Sequence, residues 1–147
     1  MVSILYLSDV QETDEAEKMT RSVKKTGKGK PLIEVRDSPL HGLGVFACHD
    51  IPKGSVIERC FYLVIDDDDL HEVNRLNDYL FTSPDVKGDY LCLMGFGMIY
   101  NHGVKPNAEW QIADDDNRFV EFVSLNDIQA GEEILHDYGQ EYWDSRE

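Results

Sequence analysis

Cysteine is scarce in this chain. The three present, Cys48, Cys60 and Cys92, are odd in number, widely spaced and free of any C-x-x-C pair. That argues against a disulfide framework and against zinc-ligand spacing, so no metal site is expected. All three fall in apolar runs, where a free thiol acts as a small hydrophobe, and a reducing intracellular compartment is the natural expectation. Long apolar runs are also missing. No stretch approaches the ~18 residues of a membrane span. Met1 to Leu7 is apolar but lacks a basic start and runs into Asp9, Glu12, Asp14 and Glu15, which does not make a secretory signal. Positive charge is in short supply: 14 Lys and Arg stand against 29 Asp and Glu, for a net charge of -15. Such a balance disfavours direct nucleic-acid binding and favours a soluble chain that attracts basic partners, such as a lysine-rich peptide. The two acidic runs, Asp66 to Asp69 and Asp114 to Asp116, lack the alternating ligands and glycine of a calcium loop and read as solvated turns or a docking face.

What is present suffices for one domain. The chain has 147 residues, 41% of them apolar, enough for an ordinary core. Residues 1–31 differ in texture from the rest. An acidic stretch from Glu12 to Glu17 gives way to Lys24-Lys25-Thr26-Gly27-Lys28-Gly29-Lys30, a basic, glycine-containing segment without apolar residues. It reads as an N-terminal extension and flexible linker, with a strand possible over Met1 to Leu7. The globular part is expected over residues 32–147. Strands are expected over Ile33 to Arg36, Val45 to Cys48, Val56 to Ile65, Tyr90 to Met94 and Glu132 to Leu135. A hairpin is expected to pair Ala108 to Ile112 with Phe119 to Leu125 across the turn Ala113 to Asn117. A helix is expected to start at Asp66 to Asp69 and run through Leu70, Val73 and Leu76. Many short strands, abundant turns and little helix indicate a mostly β fold with short helices.

Three segments carry chemistry. Gly42-Leu43-Gly44 offers backbone bare of side chains at two positions, which is a tight turn or a place where a ligand approaches the main chain. Gly95-Phe96-Gly97-Met98-Ile99-Tyr100-Asn101-His102-Gly103-Val104-Lys105-Pro106-Asn107 contains an Asn-His pair, and its Asn107 can bond its own turn backbone. Gly131-Glu132-Glu133-Ile134-Leu135-His136-Asp137-Tyr138-Gly139 ends on a tyrosine. In this order the three resemble the signature motifs of SET-domain protein-lysine methyltransferases. The resemblance spans roughly Ile33 to Trp143. It implies a fold of several small sheets around a pseudoknotted core, with S-adenosyl-L-methionine as cofactor.

The resemblance also implies residue roles. Gly42, Leu43 and Gly44 would form the cofactor loop. Asn101 and His102 would bind the methionine and adenine portions, and Tyr138 and Trp143 would belong to the same cofactor site. Tyr138 would be the catalytic tyrosine, and Tyr79, His136 and Tyr142 would line the substrate-lysine channel. Three positions depart from the family pattern: Leu43 and His136 stand where aromatic residues are common, and Gly103 stands for a serine. No cysteine follows Cys92, so the zinc cluster that closes the channel in most members is not expected, and the segment Gln140-Glu141-Tyr142-Trp143-Asp144-Ser145-Arg146 resembles the terminal Tyr-Trp segment of the minimal viral-type SET histone methyltransferases. By that likeness the substrate would be a histone H3 tail, the location nuclear and the state a homodimer. Other readings are a catalytically weak SET module that serves as an interaction domain, and a small acidic histone-binding protein.

The chemistry so implied is demanding. A free lysine amine is neutral in only about one part in two thousand at neutral pH. A dry aromatic channel and a neighbouring sulfonium lower its pKa. A tyrosine, with a pKa near 10, contributes orientation and electrostatics rather than proton abstraction.

Overall fold

The computed structural model describes residues 29–70 and 74–144. The strand expected over Met1 to Leu7, the linker up to Lys28, Val73 of the expected helix and the final Ser145 and Arg146 lie outside the described residues.

Strand β1 (Ile33–Asp37) pairs antiparallel with β2 (Leu43–Ala47). The link between them is tight: Ser38 N donates to the Gly42 carbonyl, and Gly42 has φ +47, a conformation glycine adopts freely. β3 (Val56–Ile65) is the β-branched and aromatic run expected from the sequence and forms the centre of a five-stranded sheet. On one side it pairs with β5 (Tyr90–Leu93), which carries β4 (Phe81–Thr82) on its far edge. On the other it pairs with β8 (Phe119–Ser124), which pairs with β7 (Ala108–Ile112) as the expected hairpin. A third, parallel pair joins β6 (Asn101–His102) to β9 (Leu135–His136). Helix α1 (Gln140–Asp144) follows. Val45, Cys60, Tyr100, Phe122 and Ile134 are among the buried residues that fuse these sheets into one core.

The segment around β9 is gripped from two sides. β2 holds it through Ala47 N to the Glu132 carbonyl (2.9 Å) and Ile134 N to the Val45 carbonyl (2.8 Å). The Asn101–Asn107 segment holds its other edge, with Gly103 N donating to the His136 carbonyl (3.0 Å) and Asn107 N to the Leu135 carbonyl (3.1 Å). Main-chain bonds on both edges leave this segment no room to slip, which gives the side chains that follow a fixed origin.

Two expectations are corrected. The acidic run does not start a helix continuing through Leu76. Asp67–Asp69 and Arg75–Asp78 form separate 3-10 turns, capped by the side chains of Asp66 and Asn74. Asp and Asn favour caps and turns over helix interiors, and four adjacent carboxylates repel across one turn. Asn107, expected to bond its own turn, bonds the adjacent β9 segment instead: its Nδ2 donates to the Glu133 carbonyl (2.9 Å) and its Oδ1 accepts from Leu135 N (2.8 Å).

Candidate active site

Tyr138 lies where the fold brings its two signature segments together. Its hydroxyl donates to the main-chain carbonyl of Tyr100 (2.8 Å), and its amide N–H donates to His102 Nδ1 (3.3 Å). Its ring meets those of Tyr142 (4.6 Å, edge-on), His136 (4.9 Å) and His102 (5.5 Å). The Trp143 indole stands edge-on to His102 at 5.1 Å and is about half exposed. Helix α1 is short, yet it carries both Tyr142 and Trp143 onto this cluster.

The carbonyl that receives the Tyr138 hydroxyl is well anchored. The Tyr100 ring is buried and stacks on Phe122 at 4.2 Å. Its own hydroxyl donates to Glu58 Oε2 (3.0 Å), while Glu58 Oε1 accepts from Phe96 N (2.8 Å). Burial and the adjacent carboxylate push the Tyr100 phenol far above its ordinary pKa, so it stays protonated and donating. Tyr100 therefore acts on the site through its backbone. The sequence offered no sign of this beyond its place before Asn101.

Asn101 is buried, and its amide Nδ2 reaches the carbonyls of His41 (3.1 Å) and Leu43 (3.0 Å) as well as Glu133 Oε1 (2.8 Å). The Gly42–Gly44 loop is thus tied to the Asn-His segment by a side chain. Gly44 is buried, and a Cβ there would overlap the Glu133 carboxylate. Gly42 and Leu43 face outward, Gly42 with nothing within 4 Å of where a Cβ would stand. Gly103 is also accounted for. A Cβ at that position would lie 2.8 Å from the Leu135 Cβ, so this chain cannot hold a serine there without moving β9.

His136 is 3% exposed, stacked on Phe81 (5.4 Å, 13°) and edge-on to Phe122 (5.7 Å). Burial lowers its pKa to about 4, so it does not titrate near neutrality as an exposed histidine would. It adjoins a cavity of about 200 Å³ that Trp110, Glu109, Pro106 and Asp137 also line. Tyr79 is half exposed at the end of the Arg75–Asp78 turn, two residues before Phe81. The structure thus brings together Gly44, Asn101, His102, His136, Tyr138, Tyr142 and Trp143, with Tyr79 joined to them along the chain through Phe81. The sequence reading missed Glu133 and Ser38, whose bonds converge on the same loop.

The exposed loop backbone, Leu43, the partly exposed His102 ring and the half-exposed indole together fit a flat nucleoside carrying a polar tail. Aromatic faces suit such a ligand.

The SET domain family model matches residues 42–139. The chain is similar to the histone-lysine N-methyltransferase, H3 lysine-37 specific, of Schizosaccharomyces pombe, at 29% identity over 114 residues that make up 76% of each chain. It is 32% identical over 125 residues to the human histone-lysine N-methyltransferase EHMT1, covering 77% of this chain and 9% of that one. Among solved structures, the Plasmodium falciparum protein PFL0690c matches with a TM-score of 0.60 at 34% identity, over 78% of this chain and 99% of that one.

Proposed function

The chain belongs to the SET-domain family of S-adenosylmethionine-dependent protein-lysine methyltransferases, and we propose that it methylates a lysine on the histone H3 tail. The observation that carries the reading is the convergence on Tyr138: its hydroxyl is bonded to the Tyr100 carbonyl and its amide to His102, next to Asn101 and the Gly42–Gly44 loop. The S. pombe relative, whose name specifies H3 lysine-37, supports the choice of substrate, and a nuclear location follows from it.

When bound, S-adenosylmethionine would supply an electrophilic methyl on a sulfonium. The roles of the chain are to bind, orient and exclude water. Gly42, Leu43, Gly44, Asn101, His102 and Trp143 are assigned to cofactor binding. Tyr138 is assigned to the transfer axis, where its hydroxyl, already donating to Tyr100, presents lone pairs to the amine. Tyr79, His136 and Tyr142 are assigned to the channel, where aromatic faces attract an alkylammonium and favour its desolvation. His102 accepts the Tyr138 N–H at Nδ1, so the neutral ring carries its proton on Nε2. The same reading carries a homodimer, tested by light scattering.

The deciding experiment incubates the chain with S-adenosylmethionine and a panel of histones and lysate proteins, read by mass spectrometry. Methyl groups on an H3 lysine are expected. Cofactor binding without transfer to any protein would favour the interaction module instead. Asn101→Ala should weaken S-adenosylmethionine binding by about 1–3 kcal/mol, since buried partners lose their hydrogen bonds. Unchanged affinity in folded protein removes Asn101 from the site.

Charge gives a second prediction. Raising salt from about 50 to 300 mM shortens the Debye length from about 14 to 6 Å and should raise the histone-peptide KM more than it lowers kcat. The two acidic runs should differ. Asp115 pairs with Arg59 (2.7 Å) and Asp116 with Arg118 (2.6 Å), and each arginine holds its aspartate below the usual carboxylate range. Neutralising Asp66 to Asp69 should therefore blunt the salt response of KM more than neutralising Asp114 to Asp116. Equal slopes in wild type and both variants would assign these runs to solubility alone.

A further inference from the structure

We propose that the Glu133 carboxylate is a positioning residue for cofactor binding, a latch that holds the Gly42–Gly44 loop in its binding shape by accepting two hydrogen bonds at once. The inference rests on reading that loop as the cofactor loop. Glu133 Oε1 accepts from Asn101 Nδ2 (2.8 Å) and Oε2 accepts from Ser38 Oγ (2.9 Å). Ser38 sits where the chain leaves β1 and Asn101 where it enters β6, so one carboxylate ties both ends of the site together.

The donor count shows why a carboxylate is needed. The Ser38 hydroxyl already accepts from Leu40 N (3.0 Å) and His41 N (3.4 Å). Both its lone pairs are engaged, and its single hydrogen goes to Glu133. The Asn101 Nδ2 group can only donate. Glu133 thus faces two donors, and a side chain with one acceptor and one donor matches only one of them. The loop has adapted to it: Gly44 leaves the space the carboxylate fills, without a positive φ to require glycine. The Glu133 backbone is also fixed, its carbonyl by Asn107 Nδ2 (2.9 Å) and its neighbours by β2. Adjacent Glu132 is exposed and caps its own turn through Gln129 N (2.7 Å), so only the second glutamate of the pair is aimed at the loop.

The test measures S-adenosylmethionine binding to the full chain by calorimetry, with steady-state kinetics on an H3 peptide. Glu133→Gln should raise the cofactor Kd about tenfold or more, because one donor now faces another. It should leave the peptide KM and the kcat at saturating cofactor within about twofold, a split that plain loss of folded protein would not produce. Adding Ser38→Ala to Glu133→Gln removes the opposed donor, so the double variant should bind more tightly than Glu133→Gln alone. Glu132→Gln should bind as wild type does. An unchanged Kd in folded Glu133→Gln, or fully additive losses in the double variant, overturns the latch. If Glu133→Gln does not fold, Ser38→Ala alone should raise the Kd several-fold, and an unchanged value overturns the proposal. Leu43→Asp separates the two readings, since it alters the open side of the loop without touching the latch. If it weakens cofactor binding and Glu133→Gln does not, only the latch fails. If neither does, the cofactor-loop reading fails and the latch with it.

Discussion

Tyr138→Phe should cut methyl transfer roughly ten- to a thousand-fold while keeping S-adenosylmethionine affinity within a few-fold, the size expected for one preorganised polar contact. Phenylalanine keeps the ring contacts with His102, His136 and Tyr142 and loses only the hydroxyl that donates to the Tyr100 carbonyl. The orphaned carbonyl costs the fold about 1 kcal/mol, far less than the loss in turnover would require if instability were its cause. Single-turnover rates at saturating cofactor read the chemical step directly, and a wild-type rate in the variant would remove Tyr138 from the mechanism. Tyr100→Phe is the informative contrast. It deletes the bond to Glu58 but leaves the carbonyl that Tyr138 uses. It should lower stability and largely spare the chemical rate.

The parts of this protein legible in its sequence are those that local rules determine. β3 and the hairpin of β7 and β8 were legible because long β-branched or alternating runs bounded by turn residues favour strands wherever they occur. The two-residue strands β4 and β6 carry no such signal, and β9 (Leu135–His136) only overlaps the end of the strand expected over Glu132 to Leu135. They exist because tertiary partners pair with them, as Leu91 does with Phe81 and Leu135 with Asn101. The site divides along the same line. Asn101, His102 and Tyr138 could be picked out because their motifs are contiguous. The second glutamate of Gly131-Glu132-Glu133 could not be distinguished from the first, since its role is set by Ser38, 95 residues away. Gly103 read as a lost hydroxyl, whereas the facing Leu135 explains why no side chain fits. His136 read only as a departure from a common aromatic position, because its burial between Phe81 and Phe122 is a tertiary fact.

That burial makes His136 the expected source of acid sensitivity. An exposed histidine titrates near 6.5, whereas His136 in the fold is held at about 4, chiefly because its surroundings penalise the charged ring. The Asp137 carbonyl, accepting from Nδ1 at 3.1 Å, and the Asp137 carboxylate favour the charged form, and nearby His102 opposes it. Between pH 6.5 and 4 the unfolded chain takes up a proton at this position and the folded chain does not. Stability from this group is therefore complete above about pH 6.5 and falls as the pH drops, by about 3 kcal/mol at pH 4, at 1.36 kcal/mol per pH unit. His136→Phe keeps an aromatic ring against Phe81 and Tyr138 and has no proton to gain. Urea unfolding of both proteins from pH 7.5 to 4 isolates the effect, because the carboxylates they share cancel in the difference. The wild type should lose about 3 kcal/mol more than the variant over that range, with the divergence starting near pH 6.5. Parallel curves would mean that His136 takes up its proton as readily in the folded protein as in the unfolded chain, and below about pH 6.5 the site beside Tyr138 would then hold a cation that opposes the approach of a lysine.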